Sequence, residues 1–259
     1  MRLLPMSCEP PSLTYIGHAT VVVDLDGARV VTDPLLRNRT VHLHRYAPAP
    51  DFARVAGPDA VLLSHLHLDH TDFPSLRRLG EDARLIVPRG AGRLARRRGF
   101  RSVEEVAPGE TARVGSLTVT ATPANHSGFR PPVGPVALAV GYRISGSRRI
   151  YFAGDTDLFP EMADLGGGLD VAVLPIWGWG RALGPGHLNP QTAAEALRLL
   201  RPSLAIPIHW GTLAPIGVRP PDPGFLNDPP HLFARHAARL APDVEVRIVP
   251  PGECTSLVL

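Results

Sequence analysis

Apolar residues recur along the chain in short runs, each closed by Gly, Pro, Asp or His. The runs SLTYIG, TVVVDL and ARVVTDP predict three consecutive strands near the N-terminus, with DLDG as the hairpin turn between the second and third. DAVLLSH predicts a short, continuous apolar strand that stops at a histidine cluster. ARLIVP, LTVTATPA, VALAVGYRI, RIYFAGD, DVAVLPIW, LAIPIHW and EVRIVP predict further strands. Helical patterns lie between them. DFPSLRRLG has an Asp N-cap and a Gly stop, and RGAGRLARRRG ends at Gly99. NPQTAAEALRLLRP places Asn189 at the N-cap and Pro190 at the first helical position, and stops before Pro202. PHLFARHAARLAP predicts the last helix.

The strands fall into two groups, residues 12–143 and 149–250, each carrying helices. No repeat, low-complexity tract or long linker divides them. The expectation is one domain over residues 1–259, made of two similar α/β halves. The 29 prolines gather in segments such as RYAPAPDF, FRPPVGP and VRPPDPGFLNDPP, which read as stiff loops. Loops at strand ends are where substrate-facing residues sit.

Composition narrows the class. With 44% hydrophobic and 20% charged residues, the chain reads as globular, not disordered. No apolar run is long enough to span a bilayer, and MRLLPMSCEPPS lacks the apolar core of a signal peptide. A cytoplasmic location without integral membrane association is expected. The two cysteines, Cys8 and Cys254, neighbour no other cysteine, which excludes a cysteine-based zinc finger or an iron–sulfur cluster. Two free thiols are the first reading, with a disulfide between the two ends as the alternative. Net charge is +3, yet all 27 basic residues are Arg. Such usage, beside abundant Ala, Gly and Pro, reflects compositional bias more than a partner. The run RGAGRLARRRGFR is therefore read as a solvated helix face, and no nucleic-acid partner is expected.

SHLHLDH, residues 64–70, changes the picture. In an extended stretch residues i and i+2 face the same side, so His65 and His67 can grip one ion together. Asp69 and His70 follow the turn and can face a second ion. Three more strands end in a residue able to bind metal. His126 follows LTVTATPAN, Asp155 ends RIYFAGD, and His209 follows SLAIPI.

In order and type, these motifs resemble the metallo-β-lactamase-fold hydrolases. The resemblance implies an α/β fold, the four-layer αβ/βα sandwich of two mixed sheets flanked by helices, with a dinuclear site at one edge between the sheets. It implies that His65, His67 and His126 bind one metal, that Asp69, His70 and His209 bind the other, and that Asp155 bridges both. A narrower resemblance runs from about Ser12 to about His209. YIGHATVVVDLDGARVVTDP, FAGDT, HLNPQTAAEAL and IPIHWGT are similar to the N-acylphosphatidylethanolamine-hydrolysing phospholipase D branch and to its bacterial relatives, including L-ascorbate-6-phosphate lactonase. This likeness places His187, in GPGHLNP, beside the metals as a substrate-binding or proton-donating group. It gives Asp33 a role in orienting the ligands and puts His18 near the site. Trp177, Trp179 and Arg181 are candidates for a pocket wall, with Arg181 suited to a phosphate or carboxylate; for Trp179 a packed loop is the preferred reading. Asp157, just after GDT, is read as the cap of a helix in DLFPEMADL. His42 and His44 are read as part of a surface lid, and His231 and His236 as structural.

No cysteine stands at a ligand position, and the hard oxygen of Asp155 takes its place. Zinc is the first expectation for the two divalent ions, with manganese or iron as alternatives. Two ions about 3.5–4 Å apart share a hydroxide and polarise the scissile group. The expected function is a dinuclear metal-dependent hydrolase using that bridging hydroxide, with Asp69 and His187 as catalytic residues. A phosphodiester is the first substrate class, as for a phospholipase D. A small sugar-phosphate lactone is the alternative, and a non-catalytic metal-binding protein is the alternative of another class. A small-molecule substrate is the expected partner, and a homo-oligomer is left as an open alternative to a single copy.

Overall fold

The computed structural model describes residues 10–179, 184–217 and 223–259. The chain opens with β1 (Ser12–Gly17), β2 (Thr20–Leu25), β3 (Ala28–Thr32), β4 (Arg39–Thr40), β5 (Leu43–Arg45), α1 (Phe52–Val55), β6 (Ala60–Leu62), α2 (Phe73–Leu79), β7 (Leu85–Pro88), α3 (Gly92–Arg97) and β8 (Val103–Val106). It continues through β9 (Thr111–Val114), β10 (Leu117–Pro123), β11 (Val140–Ser145), β12 (Arg149–Phe152), α4 (Met162–Leu165) and β13 (Val171–Pro175). It ends with α5 (Pro190–Leu200), β14 (Leu204–Ile208), β15 (Leu213–Pro215), α6 (Pro223–Leu240), β16 (Glu245–Val246) and β17 (Cys254–Ser256).

Two seven-stranded sheets result, ordered β17-β1-β2-β3-β6-β7-β8 and β16-β14-β13-β12-β11-β10-β9. Each is antiparallel on one side and parallel on the other. A small third sheet, β15-β5-β4, lies apart from them. Strand alternation builds the layers. Val21, Val23 and Leu25 of β2 face the core between the sheets, whereas Val22 packs with Ile16, Val31, Leu36 and Val55 under α1. Likewise Ala60 and Leu62 of β6 point inward, and Val61 packs outward with Phe73, Leu76 and Ala95 of α2 and α3. On the far side, Ala193, Leu197 and Leu200 of α5 and Phe233 of α6 close the second sheet. The αβ/βα sandwich implied by the sequence is the architecture that forms.

Local chemistry fixes the ends of elements as expected. Asp26 and Gly27 both take positive φ in the β2–β3 hairpin (49° and 77°), as a type I′ turn needs. Asp72 caps α2 through Ser75 N, and Asn189 caps α5 in a reciprocal box with Thr192.

Several expectations shift. Strands β9, β10 and β11, grouped by sequence with the first half, pair into the second sheet, and β17 returns to the first. Sheet membership is set by long-range pairing, which local patterning does not encode. β8, β9, β4, β5, β15 and β17 carry short or polar sequences and form by pairing with neighbours already in place. EVRIVP pairs only over Glu245–Val246. Helix α6 starts at Pro223 and holds Pro229 and Pro230 inside it, where a loop was expected; packing against α5 overrides the missing proline N–H donors. Cys254 is disulfide-bonded, not a free thiol. Thr14 pairs with Cys254 in the β1–β17 ladder, so the fold carries the C-terminal strand back to the start of the chain. Cys8 lies outside the described residues.

Candidate metal centre

The histidine loop leaves β6 and folds back on itself. His70 N and Thr71 N both donate to His67 O (3.2 and 2.8 Å), and Thr71 Oγ1 donates to His65 O at 2.6 Å. From outside, Arg130 Nη1 donates to Leu66 O and Thr71 O (2.8 and 3.1 Å), satisfying two loop carbonyls. Asp33 follows directly after β3 and organises the loop from within. Its Oδ1 accepts Ser64 N at 2.7 Å, and its Oδ2 accepts Ser64 Oγ and, at 2.8 Å, His70 Nδ1. The remaining candidates arrive on strand ends, His126 after β10, Asp155 after β12 and His209 after β14. Gly154 makes the approach of Asp155 feasible. Its φ is +60°, and a Cβ there would lie 2.6 Å from Ser64 Cβ and 3.1 Å from Val140 O.

Two groups of donor atoms result. His65, His67 and His126 form one; His18, Asp69, His70 and His209 form the other. Asp155 stands beside the second, with Oδ2 3.1 Å from His70 Nε2 and Oδ1 3.4 Å from His209 Nε2. It also joins His126 and His187 in a third grouping. Outer nitrogens are occupied: His126 Nδ1 donates to Gly186 O (2.7 Å), His209 Nδ1 to Trp177 O (3.1 Å) and His65 Nδ1 to Ser64 Oγ (2.9 Å). Those bonds fix the tautomers and leave the other ring nitrogens as lone pairs. Ring nitrogens of each group also face one another, His126 Nε2 with His67 Nδ1 at 3.1 Å and His209 Nε2 with His70 Nε2 at 3.3 Å. Opposed lone pairs at this range repel unless a proton or cation lies between them. His65 Nε2 and Asp155 Oδ1 are buried with no hydrogen-bond partner, a costly arrangement for polar atoms unless a cation takes them. The donor set of nitrogen and carboxylate oxygen therefore fits divalent transition-metal ions.

The electrostatics agree. Burial holds His65 well below the usual imidazole range, His67 down to about 4 and His209 down to about 3. Burial also lowers His18 and His126. For His70 burial disfavours the charged ring, but Asp155 and Asp69 outweigh it and raise its pKa well above the usual range. Burial opposes ionisation of Asp155 and Asp69, yet the surrounding histidines keep both carboxyls below the normal carboxylate range. Most of these imidazoles are thus neutral and the carboxyls ionised at neutral pH, the forms a metal needs.

The other candidates fall around this cluster. His187 Nε2 is 3.7 Å from Asp155 Oδ2, and its ring meets that of His126 edge-on at 4.7 Å. His18 is buried, with Nε2 2.8 Å from Asp69 Oδ2. Trp177 reaches the site only through its carbonyl; its ring packs against Phe225. Trp179, offered from sequence as pocket wall or packed loop, is both: it packs against Leu35, Leu43 and Leu213 and lines a cavity of about 350 Å³ with Thr40, Val41, His42, Leu43, His67, Leu68, Asp69 and Pro131. Arg181 lies outside the described residues. Asp157 caps no helix, because α4 begins only at Met162; its carboxylate accepts Leu158 N and Gly186 N (2.8 and 3.2 Å) and so ties the His187 loop to the end of β12. His42 meets Trp179 edge-on, while His44 lies against Tyr46. Ser64, Thr212, Arg130 and Pro131 were not singled out from sequence. Only the adjacency of Ser64 to the motif could have drawn attention to any of them.

A model of the Beta-lactamase superfamily domain matches residues 28–210. A metal-dependent hydrolase of the UPF0173 family from Methanopyrus kandleri is 34% identical over 255 residues, covering 93% of this chain and 97% of its own. The N-acyl-phosphatidylethanolamine-hydrolyzing phospholipase D 1 of Caenorhabditis elegans is 32% identical over 225 residues, covering 77% of this chain and 63% of that protein. Among solved structures, Igni18, a metallo hydrolase from the archaeon Ignicoccus hospitalis, superimposes with a TM-score of 0.70 at 27% identity, covering 94% of this chain and 97% of its own. Fold, donor set and relatives lead to one conclusion: the chain belongs to the β-lactamase superfamily and is a metal-dependent hydrolase of the metallo-β-lactamase fold.

Proposed function

We propose that the protein hydrolyses a phosphodiester carrying an apolar group, as in a phospholipid-like molecule. The observation that carries this reading is the cavity beside the donor cluster. It reaches Asp69 and His67 at its polar end and is walled by Val41, Leu43, Leu68, Pro131 and Trp179. Among its described lining residues there is no arginine, so a sugar phosphate would find no cation there to replace its hydration, whereas an alkyl chain would be desolvated at little cost. The phospholipase D relative supports the same choice.

In this reading His65, His67 and His126 hold one ion, Asp69, His70 and His209 hold the other, and Asp155 serves both. Bound divalent ions acidify water and neutralise charge on the attacked group, and zinc suits the histidine-rich set, with manganese or iron as alternatives. Asp33 and Ser64 keep the histidine loop in one conformation. Asp69 orients the attacking water. His187, beside Asp155, assists departure of the leaving oxygen. The apolar wall excludes bulk water and seats the substrate's tail.

The test compares a short-chain glycerophosphodiester bearing acyl groups, below its micellar concentration, with the deacylated head group. Seating about three methylenes at about 0.8 kcal/mol each gives a roughly 50-fold preference in kcat/KM for the acylated compound. Equal rates would remove the apolar wall from the argument. Hydrolysis of a sugar-phosphate lactone with no phosphodiester turnover would replace this reading by the lactonase one.

A further inference from the structure

The turn between β1 and β2 holds two residues with positive φ, Gly17 at +123° and His18 at +56°. For a non-glycine residue this is an uncommon conformation, kept only where its surroundings enforce it. They do so from several sides. Arg45 donates to Ile16 O and Leu35 O (3.3 and 2.9 Å), His18 N donates to Thr212 Oγ1 (2.8 Å), and His209 N donates to His18 O (2.8 Å). A Cβ on Gly17 would come within 2.9 Å of Arg45 Nη1 and 3.0 Å of Thr212 Cγ2. The turn is thus locked to the segment that carries His209.

What this conformation achieves is the aim of one ring. His18 Nε2 lies 2.8 Å from Asp69 Oδ2 in a buried contact. The carboxylate can only accept, so Nε2 carries the hydrogen and is not available as a metal donor. The bond engages Oδ2, which also lies 3.6 Å from His70 Nε2, and so fixes how the carboxylate is presented to the second group. The same ring lies 3.9 Å from that of His209 and 5.1 Å from that of His70. Apart from Trp179 at 6.0 Å, the ring's neighbours among the described residues are Asp69, His70 and His209, all of the second group.

We propose that His18 is a positioning residue for the second metal alone: through Nε2–H it holds the Asp69 carboxylate in place, and through its carbonyl it sets His209, so that it governs whether the centre keeps one ion or two. This inference rests on the metal-binding reading of the site but not on the identity of the substrate.

The experiment measures zinc affinity by chelator competition in two single-site backgrounds. His126→Ala leaves the second group as the binding site, and His209→Ala leaves the first. In the His126→Ala background, adding His18→Leu is expected to weaken zinc binding about 10- to 100-fold, the usual effect of removing a residue that orients a ligand. His18→Gln, which keeps an N–H donor, is expected to recover most of that loss. In the His209→Ala background His18→Leu is expected to change affinity less than about threefold, a loss confined to one site being what a specific positioning role requires. Equal losses in both backgrounds, no loss in either, or a Gln variant as weak as Leu would overturn the proposal. A second measurement needs no variant and decides if His18→Leu does not fold. Histidine-selective proton–nitrogen spectra of the wild-type protein are expected to show a His18 Nε2–H signal that survives zinc loading. Its disappearance on loading would make His18 a ligand and contradict the positioning role. Because no substrate enters either measurement, a failed phosphodiester assay leaves this result standing.

Discussion

Asp33 holds no ion in this account, yet it accepts three hydrogen bonds, two from Ser64 and one from His70 Nδ1. Asp33→Ala would free the His70 ring and leave the Ser64 donors unpaired in a buried site. Metal affinity should fall about 10- to 100-fold, read by chelator competition. Asp155→Ala is the sharper change, since in the proposed reading that carboxylate serves both ions. Metal analysis should find both lost, and a variant that retains two ions at wild-type affinity would remove Asp155 from the shared position. His187→Ala should keep its metal while kcat falls about 100-fold or more, the scale of a lost general acid; an unchanged kcat would remove His187 from the chemistry. At this scale the sequence was informative wherever a ligand type closed an apolar run, as at His65, His126, Asp155 and His209. It was silent on partners far away in the chain. The bond of His18 to Asp69 and the role of Thr212 depend on contacts 51 and 194 residues apart.

The elements position these residues by ending together. Strands β3, β6, β12 and β14 lie in the parallel parts of the two sheets, and site residues follow the carboxyl end of each, the edge where α/β sheets bind ligands. The junction is tight. Gly154→Ala would force a left-handed alanine, at about 1–2 kcal/mol. It would also press a methyl onto Ser64, and such overpacking costs roughly 1–3 kcal/mol more. Urea unfolding of the metal-free variant should show a loss in that range, and an unchanged midpoint would mean that the β12 turn yields easily. Element boundaries with side-chain caps, at α2 and α5, were legible in the sequence because Asp72 and Asn189 satisfy helix N–H groups locally. The strands without apolar runs were not, and neither was the early start of α6, because packing against distant elements decides them.

Across the whole molecule, the buried donor cluster couples stability to pH. His67 and His209 sit at about 4 and about 3 when folded, against about 6.5 in an unfolded chain. Below about 6.5 the unfolded state takes up protons that these folded rings refuse, so their contribution is present above that pH and is lost as pH falls toward 3. Asp69 and Asp155, held low by the histidines, act in the same direction at still lower pH. His70, raised by Asp155 and Asp69 against its burial, runs the other way. The metal-free protein should therefore lose stability on acidification from pH 7 to pH 4 in urea titrations. Zinc affinity should weaken over the same interval, because ligands must shed protons to bind. A flat stability profile would mean that the cluster opens to solvent without its ions.

The central claim is that this edge of the sandwich is a working dinuclear hydrolytic site. Its most direct test is turnover of an activated phosphodiester by zinc- and manganese-loaded protein, with metal content measured on the same samples and His209→Ala as control. Two ions per chain and hydrolysis that vanishes in His209→Ala is the expected result. Two bound ions with hydrolysis of neither a phosphodiester nor a lactone, or turnover undiminished in His209→Ala, would contradict it.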